Sequence, residues 1–259
     1  MENLSDFACC RGGNRPVKVV IMQPTYLPWL GYFDLIDQAD VLVFLDNAQF
    51  EKQSWQQRNK LRTPNGLEWI TVPALIKGRF GQSIKDVAIN PVGFPDKHIR
   101  QIKQNYSRAP CFQIYFERFA HALATAAKSA LLCNLNIALI EWMSSQLSIS
   151  TRFVRSSELG LSGKRTQLLV DILKHLKAKT YLSPLGSWDY LKEEWSLICA
   201  NGVEVEFQNY SHPQYRQVYH PFVPYASALD LLLNEGDLGA EIIRSGRKSA
   251  ILAEELMTS

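Results

Sequence analysis

Apolar residues near the start of the chain form two continuous runs separated by a helical pattern. Val17–Met22 is a β-branched run of the kind found in buried parallel strands, and Pro24 and Pro28 prevent its continuation. From Trp29 onward the apolar residues recur at helical spacing, and Val41–Leu45 is a second apolar run. This order predicts a strand, a crossover helix and a second strand, which is the βαβ unit of an open parallel sheet.

The same alternation continues along the rest of the chain. Further strands are predicted at Leu67–Val72, Ile84–Ile89, Arg152–Arg155, Thr180–Ser183 and Val203–Phe207. Helices are predicted at Thr166–Leu176, with Thr166 as N-cap, at Trp188–Ala200 and near the C-terminus, and loops at Asn47–Gly66 and Tyr210–Tyr225. Residues 96–147 are predicted to be mostly helical. The pattern favours an α/β fold with an open, doubly wound, mostly parallel sheet of Rossmann-like type and a helical annex at 96–147.

Length and charge narrow the class of protein. A chain of 259 residues with 46% hydrophobic and 20% charged residues suits a single α/β domain over 17–259, preceded by a flexible tail over 1–16. The net charge of +3 argues against a nucleic-acid-binding surface but permits a local cationic pocket for phosphate. No apolar run approaches the roughly 18 residues of a membrane helix, so no membrane insertion is expected.

The cysteines and the first residues indicate a cytoplasmic location. The five cysteines contain no CxxC pair, and their odd number suits reduced thiols better than a disulfide framework. Cys9 and Cys10 are adjacent, which suits a redox or metal role or an incidental pair. Residues 1–16 have early acidic residues and no apolar run, so they do not resemble a signal peptide.

Two segments that follow predicted strands contain candidate binding residues. Gln23–Gly31 includes Gln23, Thr25, Tyr26, Trp29 and Gly31, and it leads into a helix whose N-terminus favours an anionic group such as a nucleotide phosphate. Leu45–Asn59 includes Asp46 to orient a base or bind a metal, Lys52 and Arg58 to hold phosphate or carboxylate, and Trp55 to stack on a sugar or purine. Asn59 is a further candidate for substrate or nucleotide binding. The alternative for Gln23–Gly31 is a proline-stiffened turn whose aromatic residues only pack. The alternative for Leu45–Asn59 is a solvated surface segment.

Two later segments are candidates for an anion site and a general base. Lys164, Arg165 and Thr166 follow Gly163 at a predicted helix start, although the spacing is not that of a P-loop. Tyr210–Gln217 contains His212, the best-placed general base among the histidines, and Tyr215. The alternative for Lys164, Arg165 and Thr166 is a basic helix start without a ligand. The alternative for His212 is a histidine that only caps or packs. No metal-ligand cluster is predicted.

Three long stretches together resemble the WbqC-like protein family. They are VVIMQPTYLPWLGYFDLIDQADVLVFLDNAQFEKQSWQQRNKLRTPNG at 19–66, TYLSPLGSWDYL at 180–191, and VEVEFQNYSHPQYRQ through FVPYASALDLLLNEG at 203–236. The resemblance implies a role in bacterial O-antigen or capsule biosynthesis, in which amino sugars are built on nucleotide carriers and receive acyl or aminoacyl groups. Its expected ligands are small nucleotides or nucleotide sugars.

A partial resemblance links PTYLPWLGYFDLI and ADVLVFLDNAQF to the pantothenate-synthetase-like HIGH-motif nucleotidyltransferases, which have a HUP-like fold and form amides from ATP-activated carboxylates. In that alignment Trp29 and Tyr32 stand where the family has histidines around its glycine. Neither side chain stabilises phosphate charge as an imidazolium does.

These observations lead to three hypotheses for function. The first is a transferase, or ATP-dependent amide ligase, that places an acyl or aminoacyl group on a nucleotide-linked amino sugar. Its acyl donor is ATP-activated or carrier-borne, so ATP or a coenzyme A thioester is the expected cofactor. In it Asp46 and His212 are catalytic, with His212 as the base for the amine, and Lys164 and Arg165 bind phosphate. The second is a non-catalytic nucleotide- or sugar-binding partner of another pathway enzyme, and the third is a glycosyltransferase, which lacks a DxD motif. The aromatic residues in loops suit a carbohydrate site or a homo-oligomer interface equally well.

Overall fold

The computed structural model describes residues 16–258, so the predicted tail, with Cys9 and Cys10, lies outside the described residues apart from Pro16. The strands are β1 (Lys18–Met22), β2 (Val41–Phe44), β3 (Arg58–Thr63), β4 (Gly66–Thr71), β5 (Arg152–Arg155), β6 (Thr180–Ser183), β7 (Glu204–Phe207) and β8 (Ile251–Leu252). The helices are α1 (Leu30–Gln38), α2 (Asp96–Tyr106), α3 (Phe112–Ala127), α4 (Leu132–Gln146), α5 (Arg165–His175), α6 (Trp188–Leu191), α7 (Trp195–Cys199), α8 (Ala228–Glu235), α9 (Gly239–Ser245) and α10 (Ala253–Thr258).

The main sheet has six strands in the spatial order β5-β2-β1-β6-β7-β8. All neighbouring pairs are parallel except β7 with β8. Counted along the chain, this is the 3-2-1-4-5-6 order of Rossmann-like folds, with an antiparallel last strand. The predicted α/β fold with a mostly parallel sheet is therefore confirmed. The order reverses between β1 and β6, and in open α/β sheets ligands bind at the carboxyl ends of the strands near such a reversal.

Alternate residues of the central strands face two separate hydrophobic clusters. Val20, Met22 and Leu42 pack with α1, α8 and the helices α2–α4 on one face of the sheet. Val19 and Val41 pack with α5, α6, α7 and α10 on the other face. Because successive side chains of a strand point to opposite faces, both faces are apolar, which explains the continuous apolar runs of β1 and β2.

The sequence predictions were wrong for four segments. Ile84–Ile89 is not a strand, since its first residues form a short 3₁₀ helix whose backbone N–H groups bond to loop carbonyls at 46 and 48. The predicted loop Asn47–Gly66 contains β3, whose basic side chains conceal the strand pattern. Trp188–Ala200 is interrupted at Glu194, where φ is −124°, and forms α6 and α7 instead of one helix. The short strand β8 was not predicted.

The hairpin of β3 and β4 lies outside the main sheet. Its six residue pairs run from Arg58 opposite Thr71 to Thr63 opposite Gly66. Leu61 and Ile70 bury one side of it in the same cluster as α1 and α2. The hairpin therefore packs beside the loop that follows β1.

Candidate functional site

The loop after β1, residues 23–29, is held by side-chain amides from distant parts of the chain. Asn136 of α4 donates hydrogen bonds to the carbonyls of Pro24 at 3.1 Å and of Gln56 at 2.7 Å. Asn59 of β3 donates to the carbonyls of Tyr26 and Leu27 at 3.1 Å and 2.8 Å. These amides satisfy carbonyls that no strand or helix can satisfy, because two prolines interrupt the segment. The loop is therefore fixed in one conformation.

Two predicted binding residues of this loop, Gln23 and Tyr26, contribute mainly to its structure. Gln23 accepts a hydrogen bond from the Gln56 amide at 2.8 Å, and the Tyr26 hydroxyl bonds to His98 Nδ1 at 2.8 Å. Tyr26 is fully buried, whereas Thr25 is partly exposed. Solvent therefore reaches Thr25, like the partly exposed Gln23 and Trp29, without a change in the loop.

The indole of Trp29 lies across Gly31 at the N-terminus of α1. A Cβ on Gly31 would lie 2.3 Å from the far edge of that ring, so a larger residue there would displace the indole. Trp29 is the N-cap residue of α1 and makes no side-chain capping bond. The first N–H groups of a helix have no partner within the helix, and this end of the helix favours anions. The indole therefore covers the N-terminus of α1, whose first residues are buried.

Four aromatic side chains surround His212, which comes from the loop after β7, and a fifth packs on Trp29. The imidazole stacks on Trp29 with ring centroids 6.1 Å apart and planes at 16°, and it contacts Tyr225 edge to face at 5.1 Å. Tyr215 and Phe222 lie at 6.2 Å and 5.9 Å from the imidazole. Tyr210 contacts the other edge of Trp29 at 5.7 Å. We call these six residues the His212 cluster.

The hydrogen bonds of His212 fix its tautomer. Its Nδ1 lies 2.8 Å from the carbonyl oxygen of Pro213, which can only accept, so Nδ1 carries the proton. The other nitrogen, Nε2, is then a lone-pair acceptor, and it is buried without a hydrogen-bond partner among the described residues. Burial lowers the pKa of His212, although the bond to Pro213 opposes this effect. A neutral imidazole with a free lone pair is the form that a general base requires.

A buried carboxyl group supports the His212 cluster from behind. The Tyr215 hydroxyl donates to Asp230 at 2.7 Å, and the Gln217 amide donates to the same oxygen at 2.9 Å. Burial raises the pKa of Asp230 to about 6, although hydrogen bonds from Tyr215, Gln217 and Tyr106 oppose the rise. The network orients Tyr215, which in turn packs on the imidazole.

Tyr210 contributes a second polar atom that lacks a partner within the described chain. Its hydroxyl is buried and makes no hydrogen bond there, like Nε2 of His212. Beside it, Arg247 donates to Asp34 at 2.8 Å, and the Gln208 amide donates to the same carboxylate at 2.7 Å. Buried polar atoms are nearly always hydrogen-bonded in native proteins. Two such atoms in one aromatic cluster therefore mark it as a candidate binding site.

The second predicted catalytic residue, Asp46, does not reach the His212 cluster. Its carboxylate accepts hydrogen bonds from the Ser156 hydroxyl at 3.0 Å and from the backbone and side chain of Ser157 at 2.9 Å and 2.7 Å. Asp46 therefore ties the end of β2 to the end of β5. Three strand steps separate β2 from β7, which at about 4.8 Å each is about 14 Å of sheet.

The remaining predicted residues occupy two other surfaces. Lys164, Arg165 and Thr166 start α5, which packs on the opposite face of the sheet from α1. Lys164, not Thr166, is the N-cap, and the Thr166 hydroxyl donates to Glu194. Lys52 is exposed, and Trp55 and Arg58 lie at the hairpin, which the loop after β1 contacts through its backbone.

Of the predicted site residues, the structure brings Trp29, Gly31, His212 and Tyr215 together. The sequence does not identify Tyr210, Phe222 and Tyr225 as residues of the site. The available signal was the repeated combination of aromatic residues and prolines between 210 and 225, although it does not show that these rings face Trp29.

The described residues contain neither a group of metal ligands nor a helix that could span a membrane. Among residues 16–258, no group of three or more histidine, cysteine, aspartate or glutamate side chains is placed to hold a metal ion. Over the same residues, every helix is too short or too polar to cross a bilayer.

Comparison with known proteins identifies the family. The model of the WbqC-like protein family matches residues 23–242. A Mycobacterium tuberculosis (strain ATCC 25618 / H37Rv) protein with the name "Uncharacterized protein Rv1507c" is 34% identical over 235 residues, which cover 89% of this chain and 99% of that protein. No solved structure matches the chain. The family model covers the loop after β1, α1 and the loop that carries His212, so the chain belongs to the WbqC-like protein family.

Proposed function

We propose that the protein transfers an acyl or aminoacyl group to the amine of a nucleotide-linked amino sugar, and that the reaction takes place at the His212 cluster. The observation that carries the proposal is the state of His212, whose Nε2 is a neutral, buried lone-pair acceptor without a partner among the described residues. The family resemblance supports the substrate class and a place in bacterial surface-polysaccharide biosynthesis.

The proposed reaction needs one base and an activated acyl donor. The amine nitrogen attacks the acyl carbon, a C–N bond forms, and the bond from that carbon to the leaving sulfur or oxygen breaks. His212 Nε2 takes the proton that the amine loses and returns it to the leaving group. Burial disfavours the imidazolium form of His212, so the proton is held only transiently.

The residues at the start of α1 favour a carrier-borne donor over ATP activation. Trp29 carries no charge, and the Tyr32 hydroxyl donates to the carbonyl of Gln23 at 3.1 Å. Burial raises the pKa of Tyr32 far above its usual value, so this side chain stays neutral. Neither group can offset the charge of a departing pyrophosphate. A coenzyme A thioester or a similar thioester needs no such stabilisation.

Aromatic walls suit the sugar substrate. Trp29 and Tyr225 have ring centroids 5.5 Å apart, and Tyr225 is 55% exposed. The apolar faces of a sugar ring pack on such side chains, while Tyr210 and the α1 N-terminus offer polar contacts. Because Nε2 of His212 is enclosed, substrate entry requires Tyr225 to turn away from the imidazole.

The enclosure of Nε2 also favours a second candidate function, that of a non-catalytic nucleotide- or sugar-binding partner of another pathway enzyme. In that case the aromatic rings hold a ligand, His212 only packs, and Asp46, whose carboxylate is occupied by Ser156 and Ser157, has a purely structural role. The two functions differ in whether product forms.

Product analysis separates the candidates. The purified protein is incubated with UDP- and dTDP-linked amino sugars and either acetyl-coenzyme A or ATP with amino acids, and amide products are measured by mass spectrometry. We expect product with the thioester, and a loss of about 100-fold or more in kcat/KM for His212→Gln, as for removal of a general base. His121→Gln, the same change at an exposed histidine of α3, is the matched control. Sugar binding without product would favour the binding partner, and full activity of His212→Gln would refute its role as base.

A further inference from the structure

The outward side of the β3–β4 hairpin carries a cluster of aromatic and cationic side chains. Lys60 pairs with Trp69 across the hairpin, and Arg58 pairs with Thr71. Alternate residues of a strand point to the same side, so Arg58 and Lys60 share one surface with Trp69. Trp55, just before β3, lies against Trp69 with ring centroids 5.2 Å apart. We call these four residues, Trp55, Arg58, Lys60 and Trp69, the hairpin face.

Both indoles of the hairpin face are open to solvent. Trp55 is 50% exposed and Trp69 is 42% exposed. The Arg58 guanidinium carbon lies 4.0 Å from the centre of the Trp69 ring, and Lys60 Nζ lies 4.9 Å from it. Two adjacent exposed indoles leave apolar ring surface in contact with water, and cations lie beside these rings. A ligand would cover this apolar surface.

A cleft of about 280 Å³ extends the hairpin face towards α2. Its walls include Trp69, Thr71, Phe94, Lys97 and Gln101, with His98 among the lining residues. Both ring nitrogens of His98 are occupied, since Nδ1 bonds to Tyr26 and Nε2 to the carbonyl of Thr71 at 3.1 Å. The polar groups left to meet a ligand are therefore Lys97, Gln101 and Thr71.

The surface around the hairpin face and its cleft carries three cationic side chains. Across residues 16–257, Arg58, Lys60 and Lys97 form no ion pair with a carboxylate within 4.0 Å. Arg58 Nε is buried and has no hydrogen-bond partner in the same part of the chain. A second cleft of about 280 Å³, beside Trp195, is instead lined by Glu204 and Glu254. Both clefts have the same volume and include an indole in their walls. The cleft at the hairpin therefore differs from the second cleft in its positive charge.

We propose that the hairpin face and its cleft bind a phosphorylated saccharide, with the sugar ring packed on Trp69 and the phosphate held by Lys97 and Gln101. A sugar ring offers the apolar C–H face that exposed indoles accept, and a phosphate offers the anionic oxygens that unpaired cations accept. Cleft volume and charge match a monosaccharide phosphate better than a neutral glycan.

This site is separate from the His212 cluster but adjoins it. The carbonyl of Lys60 accepts the N–H of Ser227, and Ser227 in turn forms a bridge with Trp29. Binding at the hairpin face requires neither His212 nor the proposed transfer reaction. The two proposals can therefore fail independently.

Calorimetric titration of the full chain tests the proposal with three probes: glucose 1-phosphate, glucose and inorganic phosphate. We expect glucose 1-phosphate to bind most tightly. Trp69→Ala and Lys97→Ala should each weaken it by about tenfold or more, in line with the loss of a stacking partner or a charge-assisted hydrogen bond. Trp195→Ala, at the acidic cleft, and Lys174→Ala, an exposed lysine of α5, are the matched controls and should bind like the parent protein. A thermal melt checks that each variant is folded.

Several results would overturn the proposal. Equal affinity for glucose and glucose 1-phosphate would remove the role of the cations, and equal affinity for inorganic phosphate would remove the role of the sugar. No heat with any probe at millimolar concentration would refute the site. His212→Gln should leave the affinity for glucose 1-phosphate unchanged. A loss of affinity in this variant would place the sugar phosphate at the His212 cluster instead. Unchanged binding in that variant, together with loss in Trp69→Ala, supports the hairpin face whatever the outcome of the product analysis.

Discussion

Two buried groups, His98 and Asp230, are expected to change the stability of the protein with pH in opposite directions. Burial lowers the pKa of His98 from 6.5 to about 4, against the effect of its bond to Thr71. The folded state thus holds His98 neutral, whereas the unfolded chain takes up a proton at about pH 6.5. The stabilising contribution of neutral His98 is fully present above pH 6.5 and is lost as the pH falls towards 4.

Asp230 has the opposite sign. Burial raises its pKa from 3.8 to about 6, so the folded state prefers the protonated carboxyl group. Its contribution to stability is fully present below pH 3.8 and is lost as the pH rises through 6. At about 1.4 kcal/mol for each pH unit between folded and unfolded pKa values, each group changes the free energy of unfolding by about 3 kcal/mol. Between pH 4 and pH 6 the two effects largely cancel in the parent protein.

Single substitutions should remove the cancellation. Asp230→Asn removes the titration of Asp230, so stability relative to the parent should fall by about 3 kcal/mol as the pH is lowered from about 6 to 3.8. His98→Gln removes the titration of His98, so stability relative to the parent should rise by a similar amount as the pH is lowered from 6.5 to about 4. Glutamine can accept from Tyr26 and donate to Thr71, which keeps the hydrogen bonds of His98 in place.

Urea unfolding at pH 4, 5, 6 and 7, followed by tryptophan fluorescence, measures these slopes. Other groups titrate in the same range, but they are common to all three proteins, so the difference between each variant and the parent isolates the group removed. Parallel pH profiles for the two variants would refute the reasoning, because they would mean that neither buried group has the pKa that its surroundings impose. If the relative stabilities of the two variants change in opposite directions but by less than about 1 kcal/mol between pH 4 and pH 7, water reaches both groups.

Three further substitutions test the framework of the site. Gly31→Ala should displace the Trp29 indole and reduce sugar binding in calorimetry while the thermal midpoint changes little, because the clashing atoms are at the far edge of that ring. Asn136→Ala removes two donors from buried carbonyls and should cost about 1–3 kcal/mol in urea unfolding. Arg247→Met leaves a buried carboxylate without its cation and should destabilise by about 3 kcal/mol, whereas Arg244→Met, at an exposed ion pair, should cost less than about 1 kcal/mol by the same assay.

The sequence predicted the central part of the fold because that part follows from local patterns. The runs of β1 and β2 are apolar on both sides, and prolines mark the loop between β1 and α1, so their order was predicted close to the observed bounds. The strand β3 was missed because Arg58, Lys60 and Arg62 lie along it, and the alternation there is one of basic and other residues. Its burial depends on contacts with α1 and α2, which no local pattern contains.

The sequence predicted the candidate site only in pieces. It identified Trp29 and His212 separately, but the stacking of these two rings depends on the order of strands in the sheet and on the path of the loop after β7. It also grouped Asp46 with His212, whereas Asp46 bonds to the serines after β5. A carboxylate at a strand end suits both a ligand and a tie between loops, and only the neighbouring strand distinguishes them.

The position of His212 also bears on the kind of chemistry that the site supports. The partial resemblance to the nucleotidyltransferases aligns Trp29 and Tyr32 with histidines that act on phosphate charge from the start of a helix. Here the imidazole comes instead from the loop after β7 and lies against Trp29. Its Nδ1 proton is bonded to Pro213, and burial lowers its pKa, so the group is neutral and ready to accept a proton at Nε2. A neutral acceptor cannot stabilise a leaving phosphate but can deprotonate an amine, and this difference favours acyl transfer from a thioester over adenylation at this site.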